Sequence, residues 1–90
     1  MQVELFATLR WMTHTAVVND IEANTVGELI DKLALRFGQE FKETLLDVQG
    51  HLKGGIIVLV NGENVHFLQQ LDTACPPKDT VAIFPPLGGG

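Results

Sequence analysis

The sequence predicts an α+β domain in which a mixed sheet of four to five strands is crossed by one main helix. Three observations carry that expectation. Residues 2–7 alternate apolar and polar with the period of a strand, residues 25–37 carry an apolar stripe with the period of a helix, and strand-like runs return after residue 55. Taking the elements in order, Val3, Leu5 and Ala7 alternate with Gln2, Glu4 and Phe6, which gives a first strand with one firmly apolar face. Thr8 to Thr15 reads as a connection holding Leu9, Arg10, Trp11 and Met12, and Ala16 to Glu22 as a second β-rich run.

Thr25-Val26-Gly27-Glu28 is a capping-box pattern, with Thr25 at the N-cap and Glu28 three residues on. Behind it Val26, Leu29, Ile30, Leu33, Ala34 and Phe37 recur at helical spacing, with Asp31, Lys32 and Arg36 on other faces. Gly38 is placed to stop that helix in the left-handed conformation. Gln39 to Leu46 suits a further short helix, with Phe41, Leu45 and Leu46 inward, and Asp47 to Gly55 a loop. Ile56 to Val60 is a strand without alternation. Asn61-Gly62 is a hairpin turn signal, and Asn64 to Leu68 returns as a short strand. Pro76 and Pro77 interrupt regular structure before a last strand, Thr80 to Phe84, which Pro85 and Pro86 end because neither donates to a ladder. The order ββαββ fits a β-grasp arrangement, in which the first and last strands are parallel neighbours in the middle of the sheet. The division expected is a β-grasp domain over residues 1–84 and a flexible tail ending in diglycine over 85–90.

With 90 residues, 46% of them hydrophobic, the chain suits one domain with a real core and is too short for two. A single cysteine, Cys75, rules out an internal disulfide and any cage of several cysteines, and fits a reducing compartment. The first residues lack the basic and apolar regions of a signal peptide, and no apolar run approaches a membrane span, so a cytoplasmic protein is expected. The net charge of −5, with few and scattered Lys and Arg, disfavours nucleic acid and points to protein partners with basic or apolar surfaces.

Side chains offer no catalytic constellation. His14, His51 and His66 fall in two loops and a hairpin strand, without HxH or HExxH spacing, and suit exposed or structural roles. Cys75 reads as a surface thiol on a loop, with no flanking basic group to activate it. Asp20 and Glu22 share a strand face but read as a solvated pair, and Gly54-Gly55 lacks the GK[ST] of a phosphate loop. No metal site is expected.

The end of the sequence differs: Phe84-Pro85-Pro86-Leu87-Gly88-Gly89-Gly90. Two features argue against a tail without a role. The glycines close the sequence without tag-like residues, and they follow a diproline that launches them stiffly from the last strand. Glycines lack Cβ, so backbone and channel wall can approach closely, and prolines reduce the entropy lost on ordering.

FPPLGGG resembles the FPPxxGG ending of the MoaD-like and ThiS-like sulfur-carrier family, ubiquitin-like proteins that include the small subunit of molybdopterin synthase. Gly88 falls on the variable position and Gly89-Gly90 on the terminal diglycine. Leu5-Phe6-Ala7-Thr8-Leu9-Arg10 is similar to the family's LFA-x-LR opening, Val60 to Val65 to its VNG-x-x-V hairpin, and Asp79 to Phe84 to its D-x-VAIF strand. Trp11, where the family often has an acidic residue, and Thr73 to Lys78, in place of a shorter turn, depart from the pattern. The resemblance implies a sulfur carrier that is substrate and subunit rather than enzyme. Its Gly90 carboxylate is adenylated by an E1-like enzyme of MoeB/ThiF type, becomes a thiocarboxylate, and gives its sulfur in molybdopterin synthesis to a large subunit of MoaE type. ATP and magnesium are used by the activating partner, and the carrier binds no cofactor.

The partner surface has a physical outline. The Ile56 to Val60 run is apolar toward both faces of the sheet, so its second face is expected to be covered at times. Phe6 shares phase with Gln2 and Glu4, and Phe84 with Thr80 and Ala82, opposite to the core residues beside them. From phase alone the rings either anchor an interface or pack under loops. The family's partner-binding face favours the interface and implies partner contacts from Phe6, Phe84, Leu87 and Arg10, with Pro85, Pro86, Gly88 and Gly89 carrying the reactive end. Alternative roles for such a chain are sulfur carriage in a thiamine, cysteine or tungsten cofactor pathway, a ubiquitin-like modifier joined to lysines, and an interaction module with an inert tail. The FPP ending favours the molybdopterin type over a thiamine carrier.

Overall fold

A computed structural model describes residues 1–75 and 77–86; Pro76 and residues 87–90 lie outside the described set. Its elements are strand β1 (Gln2–Leu5), helix α1 (Thr8–Thr13), strand β2 (Val17–Val18), helix α2 (Val26–Phe37), helix α3 (Gln39–Leu45), strands β3 (Ile57–Val60) and β4 (Glu63–Asn64), two 3-10 turns (Val65–Phe67 and Gln70–Asp72) and strand β5 (Thr80–Phe84). The sheet runs β2-β1-β5-β3-β4. β1 and β5 are parallel, pairing Val3 with Val81 and Leu5 with Ile83, and the other pairs are antiparallel. The expected β-grasp is therefore the architecture observed.

α2 forms where the sequence places it. Thr25 Oγ1 accepts from the Glu28 amide at 3.2 Å, a cap worth about 1 kcal/mol. The reciprocal half of the box is absent, since the Glu28 carboxylate instead accepts from Asn24 Nδ2 and pairs with Lys32. Val26, Leu29, Ile30 and Leu33 are fully buried and join Val3, Leu5, Val58, Val81 and Ile83 in one core, while Phe37 packs at its margin against Phe41. Gly38 ends α2 with φ 107° and ψ 168°, not the left-handed helical cap expected. That extended, glycine-favoured backbone lets α3 begin at the next residue while the Gly38 amide still donates to the Ala34 carbonyl at 2.8 Å.

Three segments differ from expectation. Thr8 to Thr13 is helical rather than a plain connection. Ala7 turns out of the strand at φ 51°, so β1 stops at Leu5, and Leu9 and Thr13 then bury on one helical face. The Thr13 hydroxyl, donating to the Leu9 carbonyl at 2.8 Å, satisfies the polar group that this burial would strand. The β-rich run from Ala16 reduces to Val17–Val18; Ile21 and Ala23 fill the core from a loop. The strand expected from Asn64 to Leu68 stops at Asn64, because the Asn64 side chain accepts from the His66 amide and starts a 3-10 turn that inserts Val65 into the core.

Candidate functional site

Strand alternation gives the sheet two different faces. Val3, Leu5, Val58, Val60, Val81 and Ile83 point into the core. Their neighbours Glu4, Phe6, Ile57, Leu59, Ala82 and Phe84 lie on the other face, all at intermediate or full exposure, and Val17 joins them from β2. The β3 run therefore does alternate in burial; residues of one apolar type simply serve both faces.

Pairing register then assembles a patch. Parallel β1 and β5 bring Phe6 beside Phe84, and the rings stack at 4.2 Å between centroids and 11° between planes. Ile57 stands opposite Phe84 across the antiparallel β3–β5 pair and is 40% exposed. In the adjacent row Val17 stands opposite Glu4, Glu4 opposite Ala82, and Ala82 opposite Leu59. Arg10 reaches the same patch from α1, its guanidinium carbon 6.0 Å from the Phe6 ring centroid, a cation–π distance. Lys32, Arg36 and Lys42 are each engaged by a carboxylate, and Arg10 has no ion pair among the described residues.

The patch lies where β5 leaves the sheet. Pro85 follows Phe84 and is buried, and Pro86 is exposed against the turn at Gly55. Of the residues proposed from the sequence, Phe6, Phe84 and Arg10 come together, with Pro85 and Pro86 next in the chain. Leu87, Gly88, Gly89 and Gly90 lie outside the described residues. Sequence reasoning did not single out Ile57, Leu59 or Val17. The signal for the first two was the two-faced apolar run itself, and for Val17 it was only visible once the β1–β2 pairing was known.

The remaining chemistry-bearing residues are apart. Cys75 is not a surface thiol: it is 1% exposed, and burial, with Asp79 nearby, pushes its pKa up to about 11. The thiol therefore stays protonated and weakly nucleophilic near neutral pH. Asp20 is held by Arg36 at 2.7 Å, whose hydrogen bond keeps its carboxyl below the usual range, so it forms no acid pair with Glu22. His14, His51 and His66 are exposed. Among the described residues no group of three or more His, Cys, Asp or Glu side chains could hold a metal ion, and no helix is long and apolar enough to cross a membrane.

A β-grasp sheet with an apolar second face, running into a diproline and a glycine-rich end, defines the class of small ubiquitin-like carriers and modifiers. The chain belongs to the ThiS family, whose model matches residues 3–90. It is 37% identical over 71 residues to an Archaeoglobus fulgidus protein assigned as a sulfur carrier, spanning 79% of this chain and 80% of that one. Its fold matches a chain of the Amycolatopsis orientalis BexX/CysO complex with a TM-score of 0.84 and 30% identity, covering 99% of this chain and 98% of the other. It also matches small archaeal modifier protein 1 of Methanosarcina acetivorans with a TM-score of 0.83 and 28% identity, covering 99% and 94%. As a sulfur carrier of this type, the chain is the substrate of an activating enzyme and not itself a catalyst.

Proposed function

We propose that this sulfur carrier delivers its sulfur in molybdopterin biosynthesis, as the small subunit of a molybdopterin synthase, through the carboxyl group of Gly90. The observation that carries the reading is the FPPLGGG segment, together with the VNGENV hairpin and DTVAIF strand in their expected places. A carboxylate resists nucleophiles until one oxygen becomes a leaving group. The Gly90 carboxylate attacks the α-phosphate of ATP and releases pyrophosphate; hydrosulfide from a sulfide-level donor then attacks the acyl carbon, expels AMP and loses its proton, leaving a thiocarboxylate. The activating partner, of MoeB/ThiF type, supplies ATP, magnesium and the charge stabilisation this needs. The carrier supplies an accessible end and a face to dock by, to that enzyme and then to a large synthase subunit of MoaE type. A Phe6–Phe84 anchor with Arg10 at its edge suits such docking, and the Amycolatopsis BexX/CysO complex is a precedent for a protein of this fold held by a partner.

The likeness to an archaeal modifier supports a second reading, in which the same activated end is joined to lysines of other proteins. One genetic test separates them. Loss of the gene is expected to abolish molybdoenzyme activity, restored by the wild-type gene. Full molybdoenzyme activity without the gene, with loss of conjugates on other proteins, would replace the first reading by the second.

A further inference from the structure

The described glycines with positive φ are not alike. Gly38, Gly50 and Gly62 have φ of 107°, 83° and 85°, and a Cβ added to any of them would meet nothing within 4 Å. Gly55 also has a positive φ, 87°, but its Cβ would lie 3.2 Å from Pro86 Cβ and 3.4 Å from Pro86 Cγ. The space where a side chain would stand is therefore closely bounded by the second proline of the tail. The Gly55 φ is what the third position of a type II turn needs, and the Ile56 amide closes the turn on the Lys53 carbonyl at 3.2 Å.

That turn has a fixed base. The Lys53 amide donates to the Leu45 carbonyl at 2.9 Å, at the end of α3, and the Asp47 amide to the His51 carbonyl at 2.8 Å. Leu46 and Leu52 form a further bridge across the loop. On the other side Pro85 is buried, and proline rings fix φ at both tail positions. The loop before β3 and the residues that follow β5 thus come close at Gly55 and Pro86.

We infer that Gly55 is a positioning residue for sulfur loading: its bare backbone accommodates Pro86 and so sets the point at which the chain leaves the domain. This rests on the sulfur-carrier reading of the tail. A Cβ at Gly55 would stand 3.2 Å from Pro86 Cβ, so Pro86 must give by a few tenths of an ångström, at a point outside the Phe6–Phe84 ring pair. Docking is then retained and delivery of the Gly90 carboxyl is not, so the loss falls on kcat rather than KM.

The test compares Gly55→Ala with Gly50→Ala, which carries the same left-handed strain without a tail contact, and with Gly54→Ala in the same turn, where a Cβ is also unobstructed. Thiocarboxylate formation is followed by intact mass with the cognate activating enzyme, ATP and a sulfur donor, and thermal melts are run beside it. Gly50→Ala is expected to lose stability through its positive φ alone, Gly55→Ala to lose at least as much, and Gly54→Ala to keep both stability and activity, while only Gly55→Ala loses about tenfold in kcat at unchanged KM. Equal kcat in the two variants would overturn the inference. An activity-independent arm keeps it separate from the sulfur-carrier reading. Nuclear Overhauser contacts between the Gly55 α-protons and the Pro86 ring are expected in the free wild-type protein and in Gly50→Ala. Their absence from the wild type overturns the seating even if sulfur transfer is normal. Their presence in a protein that never gains sulfur supports the seating and counts against the carrier reading.

Discussion

Deleting Gly90 is expected to abolish sulfur transfer and leave the fold intact. The core is built chiefly from α2 and the sheet, with Leu9, Phe41, Leu45 and Val65 among the residues that complete it, and Ile83 is the last residue of the described chain to enter its hydrophobic cluster. A glycine removed beyond that point costs the domain little. Its loss moves the carboxyl one residue short of the position the activating enzyme must reach, and misplacement of a reacting atom on this scale costs about a hundredfold or more. A bulky residue in place of Gly89 is expected to act in the same way, because a Cβ and its substituents would meet the wall of a channel shaped for backbone. Melts of the deletion variant matching the wild type, with no molybdopterin formed, are the result expected. Molybdopterin formation at the wild-type rate would remove Gly90 from the mechanism.

Truncating the stacked rings is expected to weaken partner binding more than folding. Both rings are partly exposed, whereas Leu5 and Ile83 beside them are fully buried. An anchor of this kind costs on the order of 2 kcal/mol in binding when cut to alanine, a loss of about 30-fold in affinity. The stacking adds a further expectation. Phe6→Ala and Phe84→Ala should be non-additive, since either substitution already removes the ring pair that orders the other side chain. Titration of the two single variants and the double variant against the purified activating enzyme, with thermal melts alongside, measures this. Unchanged affinity with a large loss of stability would make the rings core residues instead.

The elements that could be read from the sequence are those whose determinants are local. α2 carries its own cap at Thr25 and a stripe from Val26 to Leu33, so nothing distant is needed to recognise it. β5 is bounded by Pro85, and its burial alternates from Thr80 to Phe84. α1 was hidden because it has no capping side chain and begins on Ala7 at positive φ, a conformation held by the surrounding fold rather than announced by the residue. β2 was overextended because a β-branched residue such as Ile21 looks the same in sequence whether it pairs in a sheet or fills a core from a loop.

The site divides along the same line. Phase within β1 and β5 puts Phe6 and Phe84 on one face, but their stacking depends on parallel register, and no local pattern states that register. Arg10 reaches Phe6 only because α1 is a helix. The contact of Gly55 with Pro86 joins two segments distant in the chain. Its only sequence sign was a Gly-Gly pair with no phosphate-loop continuation, which had no assigned use until the fold supplied one.

The central claim is that the chain carries sulfur on the carboxyl of Gly90. Intact-mass spectrometry of the wild-type protein, incubated with its cognate activating enzyme, ATP and a sulfur donor, tests it most directly. The account predicts a mass gain equal to one oxygen-to-sulfur exchange, dependent on ATP, placed at Gly90 by fragmentation and absent from the Gly90 deletion. A wild-type protein that stays at its original mass with its own enzyme, or one that gains sulfur at Cys75 instead, would contradict it.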